Sequence, residues 1–96
     1  MRRVVKTPFP SDPLITDPAM LGAAIRAGRT AQGLTSEEAA MTIGIAKQTL
    51  TDIEAGKPTV GWGTVFKVAN NLGVSLFLAP ASDRERIKVL IRKAAK

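Results

Sequence analysis

Residues 35–56 read TSEEAAMTIGIAKQTLTDIEAG, two short helical patterns joined across a glycine. Thr35 with Glu38 is a capping box. The threonine hydroxyl accepts from the amide three residues on, and the glutamate reaches back to the threonine amide. A helix is therefore expected from Ser36 through about Ile43. Gly44 ends it, because glycine enters the left-handed conformation of a helix stop at least cost. A further helix is expected from about Ala46 to Ala55, with Gly56 as its left-handed cap. Ile45, Leu50 and Ile53 fall on one side of it, and Lys47, Gln48, Thr49, Thr51 and Asp52 on the other. The apolar side ties this segment to a core. The polar side is either a set of donors and acceptors that reads base edges or an ordinary wet surface.

Working outward, Asp17 can cap a helix that has Pro18 at its first position, where proline is best tolerated. That helix is expected to run to about Gln32, with Leu21, Ala24, Ile25 and Gly28 inward and Gly33 as its stop. After the turn Lys57-Pro58-Thr59, a helix from about Gly63 to Asn71 carries Trp62, Val65, Phe66, Ala69 and Leu72 at helical spacing. Trp62 and Phe66 are accordingly expected in the core. The period then changes from 3.6 to 2, and Val74-Ser75-Leu76-Phe77-Leu78 reads as a strand between Gly73 and Pro80. A lone strand is not stable, so it needs a partner: the arm around Val4 and Val5, or the same strand of a second copy. Ser82-Asp83-Arg84-Glu85 is another capping box, opening an amphipathic helix with Ile87, Leu90, Ile91 and Ala94 on one face. At the other end, Pro8, Pro10, Pro13 and Pro18 bar any helix and leave a loosely ordered arm.

Ninety-six residues suit one compact domain with tails, whose small core association would usefully enlarge. There is no cysteine and no histidine, which removes disulfides, thiolate metal sites and the commonest general base. No apolar run approaches the roughly 18–20 residues a bilayer span needs. The first residues are basic with no apolar stretch behind them, so no secretory signal is expected, and the cytoplasm, with the nucleoid, is the expected location. Net charge is +6, which points to an anionic partner. Its distribution is uneven: residues 1–16 carry +2, residues 17–64 carry −1, and residues 82–96 carry +4. Bulk charge therefore makes no case for nucleic acid at the centre of the chain.

The case there rests on spacing. Two short helices joined by Ile43-Gly44-Ile45, with a helix before and another after, form the frame of a helix-turn-helix. In such a unit the start of the second helix enters the major groove. Lys47 then donates to guanine O6/N7 or a phosphate, and Gln48 grips adenine N6/N7 in bidentate fashion. Thr49 and Thr51 meet a thymine methyl or a phosphate. Arg26 and Lys57 are candidate phosphate contacts.

The run RAGRTAQGLTSEEAAMTIGIAKQTLTDIEAGK, residues 26–57, resembles the Cro/C1 (XRE) helix-turn-helix family of bacterial repressors, through Leu34, Thr35, Ala40, Gly44, Glu54 and Gly56. The likeness extends over about residues 20–73. The following TVGWGTVFKVANNLGVSLFLAP, residues 59–80, is similar to a subgroup, the HipB-type antitoxins. The resemblance implies an all-α, four- to five-helix, lambda-repressor-like domain with one short C-terminal strand, Val74, Leu76, Phe77 and Leu78, pairing across a dimer. It implies an ion pair between Arg29 and Glu54. It also implies a base- and backbone-facing surface of Lys47, Gln48, Thr51 and Asp52. Ser36 stands where the family usually has a longer glutamine reaching a phosphate, and Ala46 is a small residue at a readout position.

The expected layout is a flexible, proline-rich basic arm at 1–16, a helix-turn-helix domain at 17–73, a dimerisation strand at 74–80 and a basic amphipathic helix at 81–96. The expected function is a sequence-specific repressor of double-stranded DNA, a homodimer on an inverted-repeat operator, and the autoregulating antitoxin of a HipBA-like module with a kinase-like, HipA-like toxin as partner. Two alternatives stand beside it: a stand-alone phage-type or regulatory repressor, and a protein-interaction adaptor that uses the strand and the basic tail. The arm, with Arg2, Arg3 and Lys6, is expected to touch the DNA backbone or minor groove. The terminal helix is either a DNA contact or a partner-docking element. An enzyme is not expected. Glu37 and Glu38, or Asp52 and Glu54, offer carboxylates without a histidine, cysteine or glycine-rich phosphate loop, and no catalytic residue, metal or cofactor is assigned. No membrane partner is expected, since the basic helix has no aromatic anchor.

Overall fold

The computed structural model describes residues 4–94, which form α1 (Pro18–Ala31), α2 (Ser36–Ile43), α3 (Lys47–Glu54), α4 (Trp62–Asn71) and α5 (Arg84–Ala94). No strand is present among the described residues. The protein has the all-α helix-turn-helix architecture.

Local chemistry sets the helix ends. Asp17 accepts from the Met20 amide at 2.9 Å and Pro18 occupies the first turn of α1. The Thr35 hydroxyl accepts from the Glu38 amide at 3.1 Å while the Glu38 carboxylate accepts from the Thr35 amide at 2.8 Å, so the reciprocal capping box of α2 is complete. Gly44, at φ +87°, closes α2, and the amides of Gly44 and Ile45 both donate to the Ala40 carbonyl at 2.9 and 3.0 Å. That pair of bonds sets the angle at which α3 leaves the turn.

Ile25, Leu50 and Val68 are the largest fully buried side chains, and Ala24, Ala39, Ala40, Ile43, Ile53, Ala69, Leu72 and Val74 close around them. The many alanines let helices approach closely, and α1 and α3 approach most closely of all. A Cβ on Gly22 would meet the carbonyl oxygens of Ile53 and Glu54, the latter at 2.6 Å. Only glycine allows that crossing.

Three expectations need correction. Trp62 and Phe66 are not core residues: they are 71% and 47% exposed, with ring centroids 5.8 Å apart. Ala69 and Leu72 are buried as expected and Val68 joins them, while Trp62 and Phe66 lie at the solvent edge of the stripe. Val74, expected in a strand facing another copy, is 4% exposed and belongs to this chain's own core, its amide donating to the Ala69 carbonyl at 2.9 Å. Finally, α5 is entered through a 3-10 turn, Ala81–Asp83, whose Asp83 amide donates to the Pro80 carbonyl at 2.9 Å. Ser82 lies inside that turn, so it does not precede the helix as a cap must.

Arm residues 4–16 have no regular structure. The Thr7 amide donates to the Thr30 hydroxyl at 2.9 Å, and Thr7 and Phe9 overhang an open groove of about 370 Å³ floored by Ala27, Gly28, Ala31 and Leu72. Asp12 lies 3.9 Å from the ammonium of Lys88 on α5. Arg2 and Arg3 of the expected basic arm lie outside the described residues. Among the described residues, no helix is long and apolar enough to cross a membrane.

Candidate nucleic-acid interface

Helix α3 buries Leu50 and Ile53 and turns Lys47, Gln48 and Thr51 to solvent, with Thr49 and Asp52 half-buried at the margins. Ala46 precedes the helix in extended conformation and offers no side-chain cap. The exposed polar groups are mutually engaged. The Lys47 ammonium is 3.3 Å from the Glu37 carboxylate on α2. The Gln48 amide nitrogen donates to Asp52 Oδ1 at 2.9 Å, and the same oxygen is 3.4 Å from the ammonium of Lys57. The Thr51 hydroxyl donates back to the Lys47 carbonyl at 3.1 Å.

Arg26, Ser36 and Thr51 come from three different helices yet line one open cleft of about 300 Å³, together with Arg29, Glu54 and Ala55. At its base the Arg29 guanidinium makes a two-pronged pair with Glu54, Nε to Oε2 at 2.6 Å and Nη2 to Oε1 at 3.0 Å, and Nη1 donates to the Leu34 carbonyl at 2.8 Å. Arg29 thus joins α1, the end of α3 and the loop before α2 around one nearly buried charge. Arg26, one turn earlier on α1, stays exposed at the rim of the cleft. The Arg26 guanidinium beside the Ser36 hydroxyl on a concave polar surface suits an anionic oxygen.

Two features escaped the reading of the sequence. Glu37 holds Lys47 across the turn, a contact ten residues long in sequence that no local pattern announces. Lys67, on α4, extends to the turn itself: a Cβ on Gly44 would stand 4.0 Å from its Nζ. Its position beside the Gly44 turn is visible only once α4 packs on α2.

A Helix-turn-helix family model matches residues 25–78. The chain belongs to the helix-turn-helix family, of the XRE type. Over 72 residues it is 40% identical to an uncharacterized HTH-type transcriptional regulator, y4mF, of Sinorhizobium fredii, covering 74% of this chain and 95% of the relative. Among solved structures it is similar to HipB in a HipB–O4 20mer complex, with TM-score 0.63 and 31% identity over 71% of this chain and 96% of that one. It is likewise similar to a chain of a HipA–HipB–O2–O3 complex, with TM-score 0.63, 29% identity and the same two coverages. This helix-turn-helix protein is a transcriptional regulator with a HipB-like DNA-binding fold, and not an enzyme.

Proposed function

We propose that two copies of this regulator bind an inverted-repeat operator in double-stranded DNA and repress the promoter they cover, with α3 of each copy in the major groove. The observation that supports this most directly is the division of α3: Leu50 and Ile53 are buried while Lys47, Gln48 and Thr51 stand exposed on the opposite side. In a helix-turn-helix, side chains near the start of the second helix reach base edges. In this reading Lys47 and Gln48 read bases. Thr49, Thr51 and Asp52 shape the readout surface, and Ala46 leaves room at its leading end. Phosphates are held by Arg26 and Ser36 at the cleft, by Lys57 beyond α3, and by the backbone amides that open α2 and α4. That arrangement explains how a module of net charge −1 over residues 17–64 binds a polyanion, since oriented amides and a few placed cations replace bulk charge.

The second copy is supported by residues 75–79, which make no backbone hydrogen bond among the described residues, and by Leu76, Phe77 and Leu78, which are exposed. An extended segment with free amides and carbonyls is a template for strand pairing. Pairing with its own copy leaves two α3 helices facing one side, spaced for half-sites roughly 34–36 Å apart. The exposed rings of Trp62 and Phe66 add apolar surface suited to the same association.

By likeness to HipB, which is found with HipA in one of the similar structures, the regulator serves as an autoregulating antitoxin whose protein partner is a HipA-like kinase toxin. The chain layout assigned from the sequence goes with this reading. The arm at 1–16 and the basic helix at 81–96 flank the domain, and 74–80 provide dimerisation. Selection of bound duplexes from a random pool tests the DNA reading. An inverted repeat with half-sites about one turn apart is expected, and enrichment of no motif would overturn it. A stoichiometric, kinase-sized protein co-purifying from the native host supports the antitoxin role, and its absence leaves a stand-alone repressor.

A further inference from the structure

We propose that Asp52 is a positioning residue for base readout: it fixes which way the Gln48 carboxamide faces, and Lys57 neutralises it so that a carboxylate can stand beside DNA. The inference rests on α3 being the recognition helix. Gln48 and Asp52 are one turn apart, and the Gln48 nitrogen donates to Asp52 Oδ1 at 2.9 Å. An ionised carboxylate only accepts, so the group facing Asp52 must be the amide nitrogen, and Oε1 is turned away from it. Oε1 and the second Nε2 hydrogen are then both presented outward. This is the pair that adenine requires, with N6 donating to the oxygen and N7 accepting from the nitrogen. Without the brace the amide is free to turn over and present the opposite order.

Asp52 is the better fixed of the two, since its side chain is 24% exposed while Gln48 stands open to solvent. Its Oδ1 also lies 3.4 Å from the Lys57 ammonium. An unopposed carboxylate on this surface would repel phosphates; with Lys57 beside it the pair brings no net charge to the interface. The neighbouring pair is built differently. Lys47 and Glu37 are 57% and 55% exposed at 3.3 Å, so Lys47 swings to a base or phosphate at little cost. One pair holds a reader in place, and the other releases one.

Random-duplex selection with the wild type, Gln48→Ala, Asp52→Ala and Asp52→Asn tests this, with circular dichroism confirming that each variant is folded. Gln48→Ala is expected to lose the preference at one base pair per half-site. Asp52→Ala is expected to lose preference at that same pair by about tenfold, within the span a bidentate base contact supplies, while non-specific affinity does not fall. Asp52→Asn, whose side chain can donate through Nδ2 as well as accept through Oδ1, is expected to admit both orders and relax the preference at that pair. The proposal is overturned if Asp52→Ala leaves that pair's preference intact, or erases the preference at a different pair, as direct contact with a cytosine would. It is also overturned if Asp52→Asn keeps the preference in full, since an amide that both donates and accepts does not impose one order. If Gln48→Ala itself changes no preference, the assignment of α3 as the reader has failed, a result distinct from all three.

Discussion

Arg29 on α1 and Glu54 at the end of α3 meet side by side, with two hydrogen bonds of 2.6 and 3.0 Å and side-chain exposures of 9% and 11%. The guanidinium also donates to the Leu34 carbonyl, so one arginine ties α1, α3 and the approach to α2 together. The angle of α3 against the rest of the domain is therefore held at its end by a charge pair and at its start by the Gly44 turn.

Removing one partner leaves the other charged and buried, which costs about 3–5 kcal/mol in such settings. Glu54→Ala is expected to lower stability by an amount in that range, read as a shift of the urea midpoint. A loss below about 1 kcal/mol would show that the pair is screened and does not brace the helices.

Gly22 and Gly63 are expected to respond in opposite ways to the same substitution. Alanine at Gly22 drives a methyl group into the Ile53 and Glu54 carbonyls. Overpacking of this kind costs about 1–3 kcal/mol and outweighs the gain of up to about 1 kcal/mol in helix propensity. Alanine at Gly63 meets nothing within 4 Å, so its effect is expected to be neutral or stabilising, within about 1 kcal/mol. Thermal melts of the two variants check the contrast, and a Gly22→Ala protein as stable as the wild type would refute the close crossing of α1 and α3.

Gln48 is exposed and packs on no core residue, so Gln48→Ala is expected to leave stability unchanged. It should weaken binding to the selected site by about 1–3 kcal/mol and relax choice at a single base pair. Titration against the selected site and its single-base variants checks this. An equal loss on every sequence would make Gln48 a backbone contact.

If two copies pair through residues 75–79 as proposed, Leu76→Asp is expected to separate them, because it puts a charge into an apolar contact. Val74→Asp is expected to unfold the chain instead, because Val74 is 4% exposed in its own core. Sedimentation distinguishes them. A Leu76→Asp protein that stays dimeric and folded would place the interface elsewhere.

The helices and their stops were legible because each depends on residues three or four apart. Asp17 with Met20, Thr35 with Glu38, and the glycine after each helix act within a single turn of chain. The exposed face of α3 was legible for the same reason, through the spacing of Leu50 and Ile53. The burial of α4 was legible only in part: Ala69 and Leu72 go inward as their spacing implies, but packing against α2 also takes in Val68 and leaves Trp62 and Phe66 outside.

What the sequence by itself determined, then, is what has a local cause: five helices, the caps at Asp17 and Thr35, and a turn at Gly44 that sends α3 away from α2. Beyond the Arg29–Glu54 pair that the resemblance implies, the tertiary structure decided which charges meet, since Glu37 with Lys47 and Asp12 with Lys88 join parts of the chain that no short pattern links. It also divided the 74–78 segment, giving Val74 to the core and leaving Leu76, Phe77 and Leu78 outside. Alternation of residues fixes which side chains share a face, while burial of that face depends on what packs against it.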